Sequence, residues 1–220
     1  MADIFVITSV IHVGSTPWTY TPTRSIFTPE QRFAQTVGTI ESVRKYCPGA
    51  KILLVEASCL EPSQTATFES LCDYVHNVNA LDNTRAYCLN SSKKGLGDAW
   101  LFQQGLEFID RLGLTPRVIF KMSGRYWLTE KFDRAIISEE VPTFRQTSAR
   151  SYITFCFSIP GSMCKTGIEI MKKTVTMYNG SKNPSIEDYL ALQFSHIKAV
   201  SCIGAAGQIA VDSSLSVYSV

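Results

Sequence analysis

Charge is scarce in this chain. Charged residues make up 18% of its 220 positions, against ~25% in an ordinary soluble domain. The 21 basic and 19 acidic residues nearly cancel, leaving +2. Without a basic surplus there is no footprint for an extended nucleic-acid partner. At 45% hydrophobic residues, intrinsic disorder is also excluded. Long apolar runs are missing as well. The run Ile4 to Ile11 is broken by Thr8 and Ser9 and falls far short of the ~18–20 residues of a membrane span. No basic stretch precedes it and no small-residue cleavage site follows, so neither a span nor a secretory signal is expected, and the chain reads as cytoplasmic. The seven cysteines contain no C-x-x-C, which removes support for zinc ribbons and thioredoxin chemistry; reduced, mostly buried thiols are expected. His12, His76 and His196 are not spaced as metal-ligand pairs. Neither a Walker A loop nor G-x-G-x-x-G is present, and Val10 to Gly14 supplies one late glycine, which ranks dehydrogenases and methyltransferases low.

What is present alternates strand and helix. Asp3 to Val10 and Lys51 to Val55 are runs of the kind buried on both faces of a parallel sheet. Between them lies a long polar stretch, His12 to Phe27. Thr28-Pro29-Glu30-Gln31 then starts a helix as a capping box with proline at its first position, and Cys47-Pro48-Gly49 ends it. A helix over Pro62 to Cys72, a strand over Tyr74 to Val78, a loop over Leu81 to Ser92, a helix opening at Gly95 and a strand over Arg117 to Met122 complete the first half. Strands near Pro142 to Gln146, Tyr152 to Ile159 and Lys198 to Ile203, and helices near Met163 to Met177 and Ser185 to His196, follow. The expected fold is α/β, one domain over 1–220 with a mostly parallel central sheet flanked by helices.

Ligands bind open α/β sheets at the carboxyl ends of the strands. Thr8 and Ser9, Glu56, and Ser123-Gly124-Arg125 fall there, with Arg24 and Lys94 in loops on the same edge. Glu56 closes a hydrophobic strand; it either accepts hydrogen bonds from a ribose or base, or caps the next turn. Lys93-Lys94-Gly95-Leu96-Gly97-Asp98 places glycines and lysines at a helix N-terminus, favourable to an anion but also an ordinary helix start. In Phe120 to Trp127, Arg125 offers a planar fork to phosphate oxygens and Tyr126 a face for a base or sugar. The competing reading puts Arg125 in an ion pair and the aromatics in the core. Glu187 and Asp188 open a helix, either as dipole compensation or as a general base.

TSVIH (8–12), Arg24-Ser25, TPEQRFAQT (28–36), KILLVEAS (51–58), KKGLGDA (93–99), IFKMSGRYWL (119–128) and SIEDYLA (185–191) together resemble the small GT-A-type glycosyltransferases of bacterial polysaccharide loci and large DNA viruses. The resemblance implies a nucleotide-sugar donor on residues 1–128, with UDP the usual base, and a glycan or glycoprotein acceptor on 129–220. Thr8, Ser9 and Glu56 would hold base and ribose. Lys94, Gly95, Gly97 and Asp98 would meet the donor sugar or phosphates, and Arg24, Ser123, Arg125 and Tyr126 would complete the donor site. Direct displacement with inversion would use Glu187 as base, with Asp188 second. One departure stands out. The Asp-x-Asp that grips Mn2+ or Mg2+ in most such enzymes is absent, and Lys121 to Arg125 stands in its place. Either Arg125 and Lys94 neutralise the leaving diphosphate, or another acid holds a metal. Two rivals remain: another enzyme class on a similar sheet, such as a nucleotidyltransferase, and a non-catalytic nucleotide-sugar or glycan-binding module of a larger glycosylation protein.

Overall fold

The computed structural model describes the chain except residues 20, 149–150, 181–185, 187–189, 191–192, 210–215 and 220, and describes only the backbone of 94, 209 and 216–219. In chain order its elements are β1 (Ile4–Ser9), α1 (Pro29–Tyr46), β2 (Lys51–Glu56), α2 (Pro62–Leu71), β3 (Tyr74–Asn77), α3 (Asp82–Thr84), α4 (Lys94–Arg111), β4 (Val118–Ser123), β5 (Tyr126–Leu128), β6 (Thr143–Ser148), β7 (Ser151–Pro160), α5 (Cys164–Gly180), β8 (Lys198–Val200), β9 (Ala205–Ile209) and β10 (Ser216–Ser219).

The main sheet has the order β3-β2-β1-β4-β7-β6-β8. β1 pairs parallel with β2 and β4, and β2 with β3. β7 runs antiparallel to both β4 and β6, and β8 is parallel to β6. The sheet is mixed but mostly parallel. Period-two alternation divides its side chains between two faces. Phe5, Ile7, Ile52, Leu54, Phe120 and Met122 meet Ile40 and Val43 of α1 and Phe68 of α2. Val6, Leu53, Val55 and Ile119 meet α4 and α5. Burial on both faces is why these strands read as unbroken apolar runs. Phe5 and Phe120 stack across β1 and β4 with centroids 4.3 Å apart, a contact adding about 0.5–1.5 kcal/mol beyond buried area.

Local signals explain the helix ends. Thr28 Oγ1 accepts the Gln31 N–H at 3.3 Å, and Gln31 Oε1 accepts the Thr28 N–H at 2.9 Å, closing the capping box. At the far end of α4, Gly113 takes φ 62° and the Leu114 N–H returns to the Ile109 carbonyl at 3.1 Å.

Two expectations need correction, and one feature is additional. Leu81 to Ser92 is not a plain loop: α3 runs on into a π-helical turn over Arg85–Leu89. The strand expected over Lys198 to Ile203 ends at Val200. A second sheet, β10-β9-β5, was not anticipated; it is antiparallel and packs Ala205 against the α1 face of the main sheet.

Candidate functional site

α1 and α2 cover one face of the sheet and α4 the other, and the strand order 3-2-1-4 reverses direction between β1 and β4. A crevice opens at such a switch point, at the carboxyl ends of the strands. Four polar side chains meet there. The Thr8 hydroxyl donates to Asp98 Oδ1 at 2.5 Å. Lys121 Nζ forms an ion pair with Asp98 Oδ2, and donates to Ser123 Oγ at 2.6 Å and the Thr154 carbonyl at 3.0 Å. Ser123 Oγ lies 3.3 Å from each Asp98 oxygen. Lys121 is 2% exposed, whereas the Asp98 side chain is 33% exposed. Strand alternation puts Lys121 on the α4 face with Ile119 and Ser123.

Asp98 reaches this position because the start of α4 packs closely. A Cβ on Gly95 would come within 2.5 Å of Ile186 Cγ2, and one on Gly97 within 3.0 Å of the Cys88 backbone. These glycines lie at the start of α4 and let it approach its neighbours. The Lys94 side chain lies outside the described residues, as do Glu187 and Asp188. Ile186 and Leu190, which bracket those two acids in sequence, are buried and line a cavity of about 10 Å³ beside Asp98, Lys121 and Thr154, room for roughly one water molecule.

On the other face, α1 closes over the ends of β1 and β4. Ser9 Oγ lies 3.0 Å from Thr36 Oγ1, which donates to the carbonyls of Arg32 and Gly124. Arg32, which the sequence reading missed, donates through Nε to the Val10 carbonyl at 2.6 Å. Burial and the nearby Arg125 and Arg24 charges lower its pKa, while Glu56 opposes them; a guanidinium still remains a cation at neutral pH. Arg125 extends toward β9, with Nη1 3.4 Å from the Gln208 carbonyl. Arg24 is differently employed. Its guanidinium lies 3.9 Å over the Trp18 ring and donates to the carbonyls of Thr16, Ser91 and Cys88, tying the 12–27 stretch to the segment after α3.

Glu56 is fully buried. Its Oε1 accepts the N–H groups of Ile11 at 3.0 Å and Ser58 at 2.8 Å, while Oε2 has no partner among the described residues. It therefore caps the chain leaving β1 and β2. Tyr126 turns into the core: it is 5% exposed and stacks on Phe155 at 3.8 Å. The structure thus brings Thr8, Asp98 and Ser123 together with Lys121, places Ser9 and Arg125 near Arg32, and leaves Arg24 and Tyr126 in supporting contacts.

The sequence resemblance implies a divalent metal at the end of β4, so the donor set matters. The carboxylate at that edge, Asp98, is engaged by Lys121 and Thr8, and Ser123, Gly124 and Arg125 bring no acid. Among the described residues no group of three or more His, Cys, Asp or Glu converges on a point that would hold a metal ion. These residues do not fit a divalent metal.

No family model matches the sequence, and no curated protein matches it significantly. Solved structures do match. The chain is similar to a structure described as a nucleotide-diphospho-sugar transferase from Desulfovibrio desulfuricans G20, with TM-score 0.51, 5% identity, and coverage of 91% of this chain and 80% of the other. It is similar to the nucleoside-diphosphate-sugar pyrophosphorylase from Vibrio cholerae RC9, with TM-score 0.50, 9% identity, and coverage of 92% and 94%. A glycosyltransferase involved in glycosylation of the major capsid of PBCV-1 matches at TM-score 0.49 and 11% identity, covering 91% and 81%. The α/β fold is that of the GT-A and nucleotide-diphospho-sugar transferase structures. No helix among the described residues is long and apolar enough to cross a membrane.

Proposed function

We propose that the chain is a glycosyltransferase that moves a sugar from a nucleotide-diphosphate donor, UDP-sugar by default, to a hydroxyl of a glycan acceptor. The observation that carries this reading is the Thr8, Asp98, Lys121 and Ser123 network at the β1/β4 switch point of a nucleotide-diphospho-sugar transferase fold. Ser9 serves the nucleoside end together with Glu56, which fixes the chain leaving β1 and β2. Arg125 and Arg32 face the diphosphate, whose departing charge requires fixed cations. An acceptor hydroxyl attacks the anomeric carbon with inversion, the new C–O bond forms as the bond to the diphosphate breaks, and Glu187, with Asp188 second, takes the hydroxyl proton.

Incubation with a panel of UDP-, GDP- and TDP-sugars tests this. Release of nucleoside diphosphate, slow with water and faster with a glycan acceptor, is expected. A second reading, nucleotidyl transfer, is favoured by the match to the Vibrio cholerae pyrophosphorylase fold. It predicts that a nucleoside triphosphate and a sugar phosphate give pyrophosphate. Binding of donor without turnover under either condition would assign the chain as a nucleotide-sugar-binding module.

A further inference from the structure

The transfer just described leaves the Lys121 ammonium without a task. It sits within β4 between Phe120 and Met122, both fully buried, where an apolar side chain would fill the same space without the desolvation of a charge. Its three N–H groups are matched by three acceptors: Asp98, Ser123 and the Thr154 carbonyl. It has no donor left for a ligand. Asp98 is the opposite case. A carboxylate has about four lone-pair sites. Lys121 and Thr8 occupy one on each oxygen, the Ser123 hydroxyl is shared between the two at 3.3 Å, and a third of the side chain is still exposed at the crevice.

Asp98 lies just past the first turn of α4, which itself holds no acid. An anionic acceptor repels a diphosphate and attracts O–H donors. The cations that suit a diphosphate, Arg32 and Arg125, lie instead on the α1 side.

We propose that Lys121 is a positioning residue that holds the Asp98 carboxylate fixed, so that its remaining lone pairs receive hydroxyls of the sugar carried by the donor. This rests on the transferase reading and adds an orientation to it. The diphosphate lies toward Arg32 and Arg125, and the hydroxylated ring toward Asp98.

Calorimetry with UDP and UDP-glucose on the wild type, Asp98→Asn, Lys121→Met and the double variant tests the proposal. The wild type is expected to bind UDP-glucose about tenfold more tightly than UDP, the gain of one good interaction to a charged group. UDP affinity stays within about twofold across the variants, whereas the gain from glucose disappears equally in both single variants and falls no further in the double variant. Ser123→Ala, which removes a hydroxyl touching both partners, gives a partial loss and covers the case in which Lys121→Met fails to fold. A glucose gain intact in Lys121→Met or Ser123→Ala overturns the proposal. So does equal weakening of UDP and UDP-glucose, the signature of a purely structural role. If UDP binds and glucose adds nothing in the wild type, the orientation is wrong while the nucleotide reading stands. If neither binds, the transferase reading with a UDP donor fails and takes this inference with it.

Discussion

The Thr8 hydroxyl and the Asp98 carboxylate, 90 residues apart in sequence, meet at 2.5 Å across the gap between β1 and α4. A hydroxyl facing an anionic acceptor makes one of the stronger neutral-to-charged hydrogen bonds. Thr8→Val keeps the shape and removes the donor. The expected cost is about 1.5–3 kcal/mol of unfolding free energy. Urea denaturation would read it; an unchanged midpoint would mean that Lys121 alone holds Asp98.

Metal dependence gives the second prediction. Because the described acids do not converge on a metal site, sugar transfer is expected to persist in EDTA. Complete loss of turnover, restored by manganese, would refute it.

The proposed base gives the third. Glu187→Gln should lower turnover by roughly 10²–10⁴-fold with little change in donor affinity. Near-full activity in this variant together with a large loss in Asp188→Asn would move the role to Asp188.

Far from the crevice, Asp3 is 4% exposed between Arg134 and Arg117, with Arg134 Nε 2.6 Å from Oδ2. Burial pushes its carboxyl pKa up, but hydrogen bonds from Arg134 and Arg117 outweigh this and hold it below the ordinary 3.8. A depressed folded value means that the stabilisation is complete above 3.8 and vanishes as pH falls through the lower folded value. Asp3→Asn should therefore be less stable than wild type at neutral pH, and the difference should shrink in strong acid. A pH-independent difference in thermal midpoint would contradict this.

Close packing supplies the fifth. A Cβ at Gly124 would sit 2.9 Å from Thr36 Oγ1 and 3.3 Å from the Thr8 carbonyl oxygen. Gly124→Ala should cost about 1–3 kcal/mol and weaken donor binding, since it pushes α1 off the crevice. Wild-type stability in this variant would show that α1 shifts freely.

Much of the fold was legible because burial on both faces writes itself into β1, β2 and β4 as unbroken apolar runs, and because the Thr28 box marks a helix start chemically. Strand direction is another matter. The apolar run of β7 reads the same in either direction, so its antiparallel pairing with β4 left no trace in composition. AAGQI in β9 has no alternation from which to infer a strand. At the site, the positions of Thr8, Ser9 and Ser123 followed from strand ends. The partnership of Lys121 with Asp98 did not, because alternation says which face a residue takes but not what waits there. Arg32 looks like any solvent-facing position of an amphipathic helix. Arg24 lies in a long stretch without periodicity, where nothing local separates a ligand-binding guanidinium from one held by three carbonyls.

That three-carbonyl grip has a consequence for how this edge responds to a ligand. Arg24 binds the 12–27 stretch and the segment around Cys88 to Ser91 into one body, reinforced by the Thr19 N–H to Ser92 carbonyl bond at 3.0 Å. Neither can swing aside alone without stripping carbonyls from a buried guanidinium whose Nε already has no hydrogen-bond partner among the described residues. The conformational entropy of both segments is lost when the chain folds. On the transferase reading, a donor arriving at this edge of the sheet meets two segments already tied together and is spared that part of the ordering cost.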